Sequence, residues 1–280
     1  MQSKDALRQM GSFGPIFGRD SIANITKGLD NQVNVFEKLI SVEESRGAGY
    51  LVLIDPDKQE LKEAIELAQD CAKADVDALL VGGSLLFSHL FDELIKGIKD
   101  QCDLPVIIFP GSTKQISPYA DAILFLSLIS GRNPNSLIGE QVVAAPIIKS
   151  MGLEAISCGY MFIESGNVTS AQFISDTRPI PRQKPEIAMA HALAAEYLGM
   201  RMIYLEAGSG AKHSVPVELI EAVKDIISIP IIVGGGIRTP DEANKKVNAG
   251  ARFVVTGNVL EENRDVGLIK AFADAIHVTE

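Results

Sequence analysis

The sequence predicts an α/β fold in which eight strands close into a (β/α)8 TIM barrel with a short or missing third helix. Eight short runs rich in Val, Ile, Leu or Phe lack alternating polar residues, which is typical of strands buried on both faces. Amphipathic stretches of helical period separate most of these runs, and this alternation indicates a parallel sheet. Eight such units in roughly 230 residues match the barrel.

The predicted elements begin with a helix over residues 33–46, which precedes the first strand. The predicted strands are residues 50–54, 78–81, 105–109, 122–125, 154–163, 202–205, 230–233 and 252–256. The predicted helices that follow them are residues 59–74, 136–150, 185–198, 216–227, 240–249 and 263–276.

Local signals support several of these helices. Pro185, Pro216 and Pro240 stand at first-turn positions, which proline favours, and Thr239 is a suitable N-cap. The segment 112–119 lies between the third and fourth strands and is too short for a long helix. We therefore expect the third helix to be short or absent.

A doubly wound open sheet is the alternative architecture, and it usually carries a GxGxxG turn near its start. Gly208-Ser209-Gly210 lacks the third glycine at position 213, and Gly234–Gly236 lacks one at position 239. The Walker A pattern is absent too. We therefore place a single catalytic barrel domain at residues 33–280, after an N-terminal extension of residues 1–32 to which no role is assigned.

Composition excludes several classes of function. The net charge of −10 argues against a nucleic-acid partner and against electrostatic docking on anionic lipid. Three cysteines without CxxC spacing and four scattered histidines indicate neither a disulfide framework nor a zinc site. The N-terminus lacks the apolar core of a signal peptide, and no uncharged apolar stretch approaches about 18 residues. We expect a soluble cytoplasmic protein.

Glycine-rich segments follow the last three predicted strands, at residues 204–210, 234–240 and 256–258. Glycine lets backbone N–H groups approach an anion closely, and the helices that follow add positive dipole ends. Loops seven and eight of such barrels are frequent phosphate sites. The segments therefore predict a phosphate site, and the alternative is that the glycines merely turn the chain.

Two polar residues follow the first two strands. Adjacent strands place Asp55 and Ser84 on the same rim, and a carboxylate with a hydroxyl is a typical arrangement for Mg²⁺. The alternatives are a turn role for Asp55 and a helix N-cap role for Ser84. Asp57 and Lys58 either cap the next helix or touch the ligand.

Glu206 ends the sixth apolar run, where a rim residue faces the site of a barrel. A carboxylate there is suited to accept a proton from a bound hydroxyl. The alternative is a salt bridge or a hydrogen bond to a neighbouring loop. The apolar stretches 123–129 and 161–163 either line a groove beside the site or belong to the core.

Five motifs occur in fixed order over residues 50–263: LIDPDK, VGGS, YLEAGSGA, VGGGIRTPDEA and VTGNVLEEN. This pattern resembles the family of geranylgeranylglyceryl phosphate synthases and heptaprenylglyceryl phosphate synthases. The combination of LIDPDK with YLEAGSG is more restrictive than the glycine motifs, which many phosphate-binding barrels share. The resemblance covers nearly the whole chain beyond the N-terminal extension.

The resemblance implies a prenyltransferase that uses Mg²⁺ to join the 3-hydroxyl of sn-glycerol 1-phosphate to a polyprenyl diphosphate, releasing diphosphate and making an ether-lipid precursor. It implies that Asp55 and Ser84 hold the metal and that Glu206 orients or deprotonates the attacking hydroxyl. The residues implied to hold glycerol 1-phosphate are Tyr204, Leu205, Glu206, Ala207, Gly208, Ser209, Gly210, Gly235, Gly236, Gly257 and Asn258.

One departure concerns the position two residues before Asp55. The bacterial heptaprenyl branch resembles KLDP there, whereas this chain has Leu53, so it is more similar to the geranylgeranyl branch and its larger archaeal and Bacteroidetes group. The resemblance also implies an irregular third helix, a homo-oligomer (a hexamer in preference to a dimer), and at most peripheral membrane contact. The alternatives are another phosphate-binding barrel isomerase or lyase, and a binding protein without catalysis.

Overall fold

A computed structural model describes residues 34–262 and 264–278, so the predicted N-terminal extension lies outside the described residues. Eight parallel strands form a closed barrel in chain order, with the last strand paired to the first. The strands are β1 (Gly49–Ile54), β2 (Ala78–Val81), β3 (Val106–Ile108), β4 (Ala122–Leu128), β5 (Glu154–Phe162), β6 (Met202–Glu206), β7 (Ile231–Gly234) and β8 (Phe253–Thr256). The predicted barrel is confirmed: β2 has the predicted bounds, and the ends of the other strands differ from the prediction by at most three residues.

The helices surround this barrel. They are α1 (Val35–Arg46), α2 (Leu61–Lys73), α3 (Phe91–Lys99), α4 (Glu140–Met151), α5 (Ser170–Ile174), α6 (Pro185–Tyr197), α7 (Val217–Lys224), α8 (Pro240–Asn248), α9 (Asn258–Glu262) and α10 (Val266–Ile276). Thr239 caps α8, because its hydroxyl accepts the Glu242 N–H at 3.2 Å. None of these helices is both long and apolar enough to cross a membrane, as far as the described residues extend.

The sequence prediction omitted α3, although the structure shows a strong helical pattern there. Phe91, Leu94, Ile95 and Ile98 are all buried, at the spacing of one helix face. The usual start signal is missing, because Leu90 occupies the N-cap position and offers no side-chain hydrogen bond. Two five-residue helices, α5 and α9, were also missed because they are too short to show a period.

Residues alternate along each strand between two cores. On β6, Met202 and Tyr204 point into the barrel, where they pack with Leu80, Ile107 and other residues of the interior. Ile203 and Leu205 point outwards and pack in the layer between barrel and helices. The last residue of β6, Glu206, therefore faces the barrel mouth above Tyr204.

The barrel wall is incomplete between β3 and β4. β3 has three residues and pairs with β4 only through Ile107–Ala122 and Ile108–Ile123. β4 continues to Leu128 and pairs with β5 along its whole length. No helix lies between β3 and β4, all of whose connecting residues the structure describes, as predicted for segment 112–119. In this sector the segment that joins β3 to β4 therefore adds neither a strand nor a helix to the rim.

Candidate active site

A cavity of about 430 Å³ opens at the carboxyl ends of the strands. Its polar end is lined by residues that follow β1, β2, β6 and β8, and these are Asp55, Lys58, Ser84, Glu206, Gly208, Ser209, Asn258 and Glu261. Its apolar end is lined by residues of β4, α4 and α5, and these are Ile123, Leu124, Phe125, Leu126, Leu128, Ala144, Ile148 and Ile174. One cavity therefore joins charged groups to a lipophilic trough.

Glu206 is the central charged group of the polar end, and it is only 5% exposed. Its Oε1 accepts the Gly208 N–H at 2.5 Å, and its carboxylate also accepts the hydroxyls of Tyr160 and Tyr204. Burial penalises the ionised carboxylate and raises the pKa of Glu206 to about 7, against the opposing effect of these hydrogen bonds. A carboxylate with a pKa near neutrality is suited to accept a proton during turnover.

The tyrosines beside Glu206 keep their protons and donate them in hydrogen bonds to its carboxylate. Burial, followed by the nearby Glu206 carboxylate, raises the pKa of both Tyr160 and Tyr204 well above the usual value. Tyr160 faces Tyr204 across the β5–β6 pair. Sequence reasoning missed Tyr160, whose only available signal was its position on the inward face of the fifth strand.

The loops after β6 and β7 approach each other through glycine backbone. Gly208 and Gly235 have φ values of 99° and 83°, which disfavour a side chain. A Cβ on Gly235 would collide with Glu206 Oε1 and with the Gly208 backbone. Ser209 extends the arrangement to the loop after β8, because its hydroxyl donates to Asn258 Oδ1 at 2.8 Å. The three predicted glycine segments therefore meet at one place.

The residues implied to hold glycerol 1-phosphate occupy different depths around this junction. Glu206, Gly208, Ser209 and Asn258 line the cavity. The side chains of Leu205 and Ala207 instead pack in the outer core, so these two residues offer only backbone to a ligand. The others lie outside the cavity lining: Tyr204 in the interior below Glu206, and Gly210, Gly235, Gly236 and Gly257 in the loops.

Asp55 and Ser84 both line the polar end. Asp55 Oδ1 accepts the Asp57 N–H at 3.1 Å, so the turn role is present alongside any metal role. Burial raises the pKa of Asp55, since that N–H and Lys58 compensate only in part. The alternative N-cap role of Ser84 is wrong, because α3 begins only at Phe91.

The geometry at Asp55 is compatible with a magnesium ion. The carboxylate is desolvated, and the Ser84 hydroxyl has no hydrogen-bond partner in the described part of the chain. Residues 34–262 and 264–278 hold no cluster of three or more His, Cys, Asp or Glu that would form a closed site. Mg²⁺ suits such a sparse donor set, because it usually keeps water and takes substrate oxygens as its remaining ligands.

Gln115 holds the loop after β2 in position, and sequence reasoning did not identify it. Its side chain is buried, its Nε2 donates to Gly83 O at 2.8 Å, and its Oε1 accepts the Gly83 N–H at 3.2 Å. No local pattern marks this glutamine, because its partner lies 32 residues away. Asp57 supports the same loop by accepting the N–H groups of Phe87 and Ser88.

The apolar end is stabilised by polar contacts behind it. Ser127 Oγ donates to Leu137 O at 2.7 Å, and Gln141 Nε2 donates to Leu126 O and, at 3.0 Å, to Ser136 O. These bonds hold a π-helical turn, Asn135–Gly139, against the free edge of β4. Of the predicted groove stretches, five residues of 123–129 and Phe162 line the cavity, whereas Met161 and Ile163 belong to the outer core.

Comparison with known proteins gives one consistent result. The model of the PcrB family matches residues 40–276. The geranylgeranylglyceryl phosphate synthase of Chitinophaga pinensis is 47% identical over 81% of this chain and 90% of that protein. The enzyme of the same name from Methanosphaera stadtmanae is 48% identical over 81% of this chain and 93% of that protein.

A solved structure agrees with these matches. The (S)-3-O-geranylgeranylglyceryl phosphate synthase of Thermoplasma acidophilum, in complex with its substrate sn-glycerol 1-phosphate, superposes with a TM-score of 0.82 and 36% identity. The match covers 87% of this chain and 98% of that one. The family resemblance drawn from the five sequence motifs is confirmed.

Proposed function

Because the chain belongs to the PcrB family, we propose that it is a prenyltransferase that joins sn-glycerol 1-phosphate to geranylgeranyl diphosphate. The observation that carries this proposal is the single cavity in which a buried carboxylate and a glycine cradle meet an apolar trough. A small phosphate ester fits the polar end, and a prenyl chain fits the apolar end. The product is a precursor of ether lipids.

The reaction forms one bond and breaks one. The 3-hydroxyl oxygen of glycerol 1-phosphate bonds to C1 of the prenyl chain, the bond from C1 to diphosphate oxygen breaks, and diphosphate leaves with the electron pair. The hydroxyl proton passes to Glu206, whose pKa near 7 allows it to accept the proton at neutral pH. The hydroxyls of Tyr160 and Tyr204 keep the carboxylate oriented during this transfer.

The glycine cradle contributes by positioning. Backbone N–H groups of the loops after β6, β7 and β8 hold the acceptor phosphate, and Ser209 and Asn258 complete the contact. A fixed phosphate aims the far hydroxyl at C1. Positioning of this kind contributes roughly 7 kcal/mol or more to barrier lowering in the best cases.

The proposal includes a Mg²⁺ ion held by Asp55 and Ser84, whose donor set fits it. Bound there, the ion would supply charge neutralisation for the leaving diphosphate. Gln115 and Asp57 hold the loop that carries Ser84, so the two donors keep their relative position.

The apolar end would bind the prenyl chain at about 0.8 kcal/mol for each buried CH₂ group. The missing helix after β3 leaves room beside β4 for a long chain. Leu53 lines the cavity, where the heptaprenyl branch is expected to carry a lysine, and this supports the geranylgeranyl substrate.

The proposal extends to the setting of the enzyme, a cytoplasmic homo-oligomer with a hexamer favoured over a dimer. Ile187 and Tyr197 of α6 and its C-cap residue Leu198 are exposed, and exposed apolar residues support contact with a second copy of the chain. Light scattering on the purified protein tests the assembly, and a monomer would contradict it.

Product analysis tests the function. Incubation with sn-glycerol 1-phosphate, labelled geranylgeranyl diphosphate and Mg²⁺ should yield geranylgeranylglyceryl phosphate and inorganic diphosphate. The matched control is sn-glycerol 3-phosphate, which should be a much poorer acceptor. Tight binding of glycerol 1-phosphate without any transfer product would contradict the proposal and favour a binding protein.

A further inference from the structure

The polar end of the cavity contains a marked imbalance of charge. Three carboxylates line this end, those of Asp55, Glu206 and Glu261, and Glu140 on α4 is a fourth in the cavity lining. Lys58 is the sole Lys or Arg side chain in that lining, as far as the described residues go. The proposed substrates bring a phosphate and a diphosphate to the same cavity. The position of this one cationic side chain therefore decides which of the anionic groups it can contact.

The ammonium of Lys58 lies where three loops meet. Its Nζ is 3.1 Å from Ser209 Oγ, in the loop after β6, and 3.0 Å from Glu261 Oε2, on α9 after β8. It is also 4.0 Å from Asp55 Oδ2, in its own loop. The ammonium therefore stands between the proposed metal carboxylate and the glycine cradle.

Lys58 has no role in forming the helix that follows it. Glu60 is the N-cap of α2, and its side chain pairs with the backbone there in a capping box with Glu63. The Lys58 side chain is 34% exposed, and ion pairs with this much solvent contribute little to stability. Its contacts with Glu261 and Ser209 place the ammonium at the junction. Because these contacts are weak, the ammonium can exchange them for contacts with a bound anion.

We propose that Lys58 is a positioning residue that couples the binding of the two substrates, and this inference rests on the proposed function. Two anions bound side by side repel each other, and this repulsion lowers the affinity for the anion that binds second. An ammonium between them has three donors and can bond phosphoryl oxygens of both. Lys58 thus relieves the repulsion between glycerol 1-phosphate and the diphosphate group.

The coupling can be measured without turnover. Calorimetry would give the affinity for sn-glycerol 1-phosphate with and without saturating inorganic diphosphate and Mg²⁺, at one ionic strength. The variants are Lys58→Met, which removes the charge at similar length, and Lys58→Arg, which keeps it. Lys62→Met is the matched control, because Lys62 is in the first turn of α2, four residues along the chain, is 87% exposed and pairs with Glu66 at 3.8 Å.

The expected results differ by variant. In the wild type, diphosphate should change the affinity for glycerol 1-phosphate by no more than a fewfold. The Lys62→Met control should show the same small change as the wild type. In Lys58→Met, diphosphate should weaken that affinity by about tenfold, a usual size for coupling between sites. In Lys58→Arg, which keeps the charge, diphosphate should again change the affinity by no more than a fewfold, which a merely structural role would not predict.

Two outcomes would overturn the inference in distinguishable ways. If the wild type binds both anions and Lys58→Met shows the same coupling, Lys58 does not link the sites, and the proposed function stands. If the wild type binds neither anion, the proposed function fails and the inference fails with it.

Discussion

The polar and apolar ends of the cavity are built from different parts of the chain. The polar end depends on backbone: Gly208 and Gly235 at positive φ bring two loops together around Glu206. The apolar end depends on side chains of β4 and α4, where volume and apolarity suffice. The polar end, which depends on backbone conformation, requires a particular residue at each position. The apolar end tolerates apolar substitutions of similar size. Substitutions at the two ends should therefore have effects of different size and on different substrates.

The largest expected effect is at Glu206. Glu206→Gln removes the proton acceptor but keeps the size of the side chain and an oxygen for the Gly208 N–H. We expect kcat to fall by about 10³, with the affinity for glycerol 1-phosphate changed severalfold at most. Steady-state kinetics and calorimetry measure the two quantities. An unchanged kcat would remove Glu206 from catalysis.

Asp55→Asn probes the other carboxylate of the polar end. The carboxamide lacks the charge that would hold Mg²⁺, so we expect turnover to fall by roughly 10²–10³ at any Mg²⁺ concentration. Circular dichroism should show the fold intact, because Asp55 is partly exposed at the rim. Normal activation by Mg²⁺ in this variant would contradict the metal role.

Gly235→Ala tests the backbone nature of the cradle. Its Cβ would collide with Glu206 and Gly208, and its φ of 83° is strained for alanine. We expect kcat/KM for glycerol 1-phosphate to fall by about 100-fold. Gly199→Ala is the control, because Gly199 has a similar φ of 80° and nothing within 4 Å of a Cβ. Equal losses in both variants would mean that strain, not crowding of the cradle, is responsible.

The raised pKa of Glu206 also predicts a stability change with pH. The pKa is 4.5 for the unperturbed group and about 7 in the folded chain. The folded state keeps a proton that the unfolded state releases, so the free energy of unfolding falls as pH rises from about 4.5 through about 7. Glu206→Gln has no carboxyl group to titrate here. Its free energy of unfolding relative to that of the wild type should therefore rise by about 2–3 kcal/mol over that pH interval.

Urea denaturation of both proteins at about pH 4.5 and about pH 8 checks this prediction. The quantity to compare is the difference between the two proteins at each pH, because other groups titrate equally in both. A constant difference would mean that the buried carboxylate does not hold a proton in the folded state.

The smallest expected effect is at the apolar end. Ala144→Asp places a charge in the trough and should raise KM for geranylgeranyl diphosphate by about tenfold, with unchanged affinity for glycerol 1-phosphate. Val143→Asp is the matched control, since the neighbouring side chain on α4 is 58% exposed and lies outside the cavity lining. Equal effects of the two variants would place the prenyl chain elsewhere.

The same contrast between the two ends explains what the sequence could predict. Buried strands and glycine turns are local patterns, so they suffice to predict the barrel and the three loops of the cradle. The position of Lys58 depends on partners 151 and 203 residues away, and closing of the barrel alone brings them together. The apolar end gave no separate signal, because Leu126 or Ile148 has the same local pattern in a trough as in a core. Strand alternation is a signal that could have assigned Leu205 to the outer core, since neighbouring residues of a strand point to opposite faces.

The shortness of β3 has a further consequence for where a barrel can hold a long apolar molecule. The interior of an eight-stranded barrel is filled by layers of side chains and has no room for a prenyl chain. The short β3 and the lack of a helix between β3 and β4 leave that room at the side, while the interior below is packed with buried side chains. A (β/α)8 barrel can thus offer space for a long apolar chain, with the loss of packing confined to a single sector.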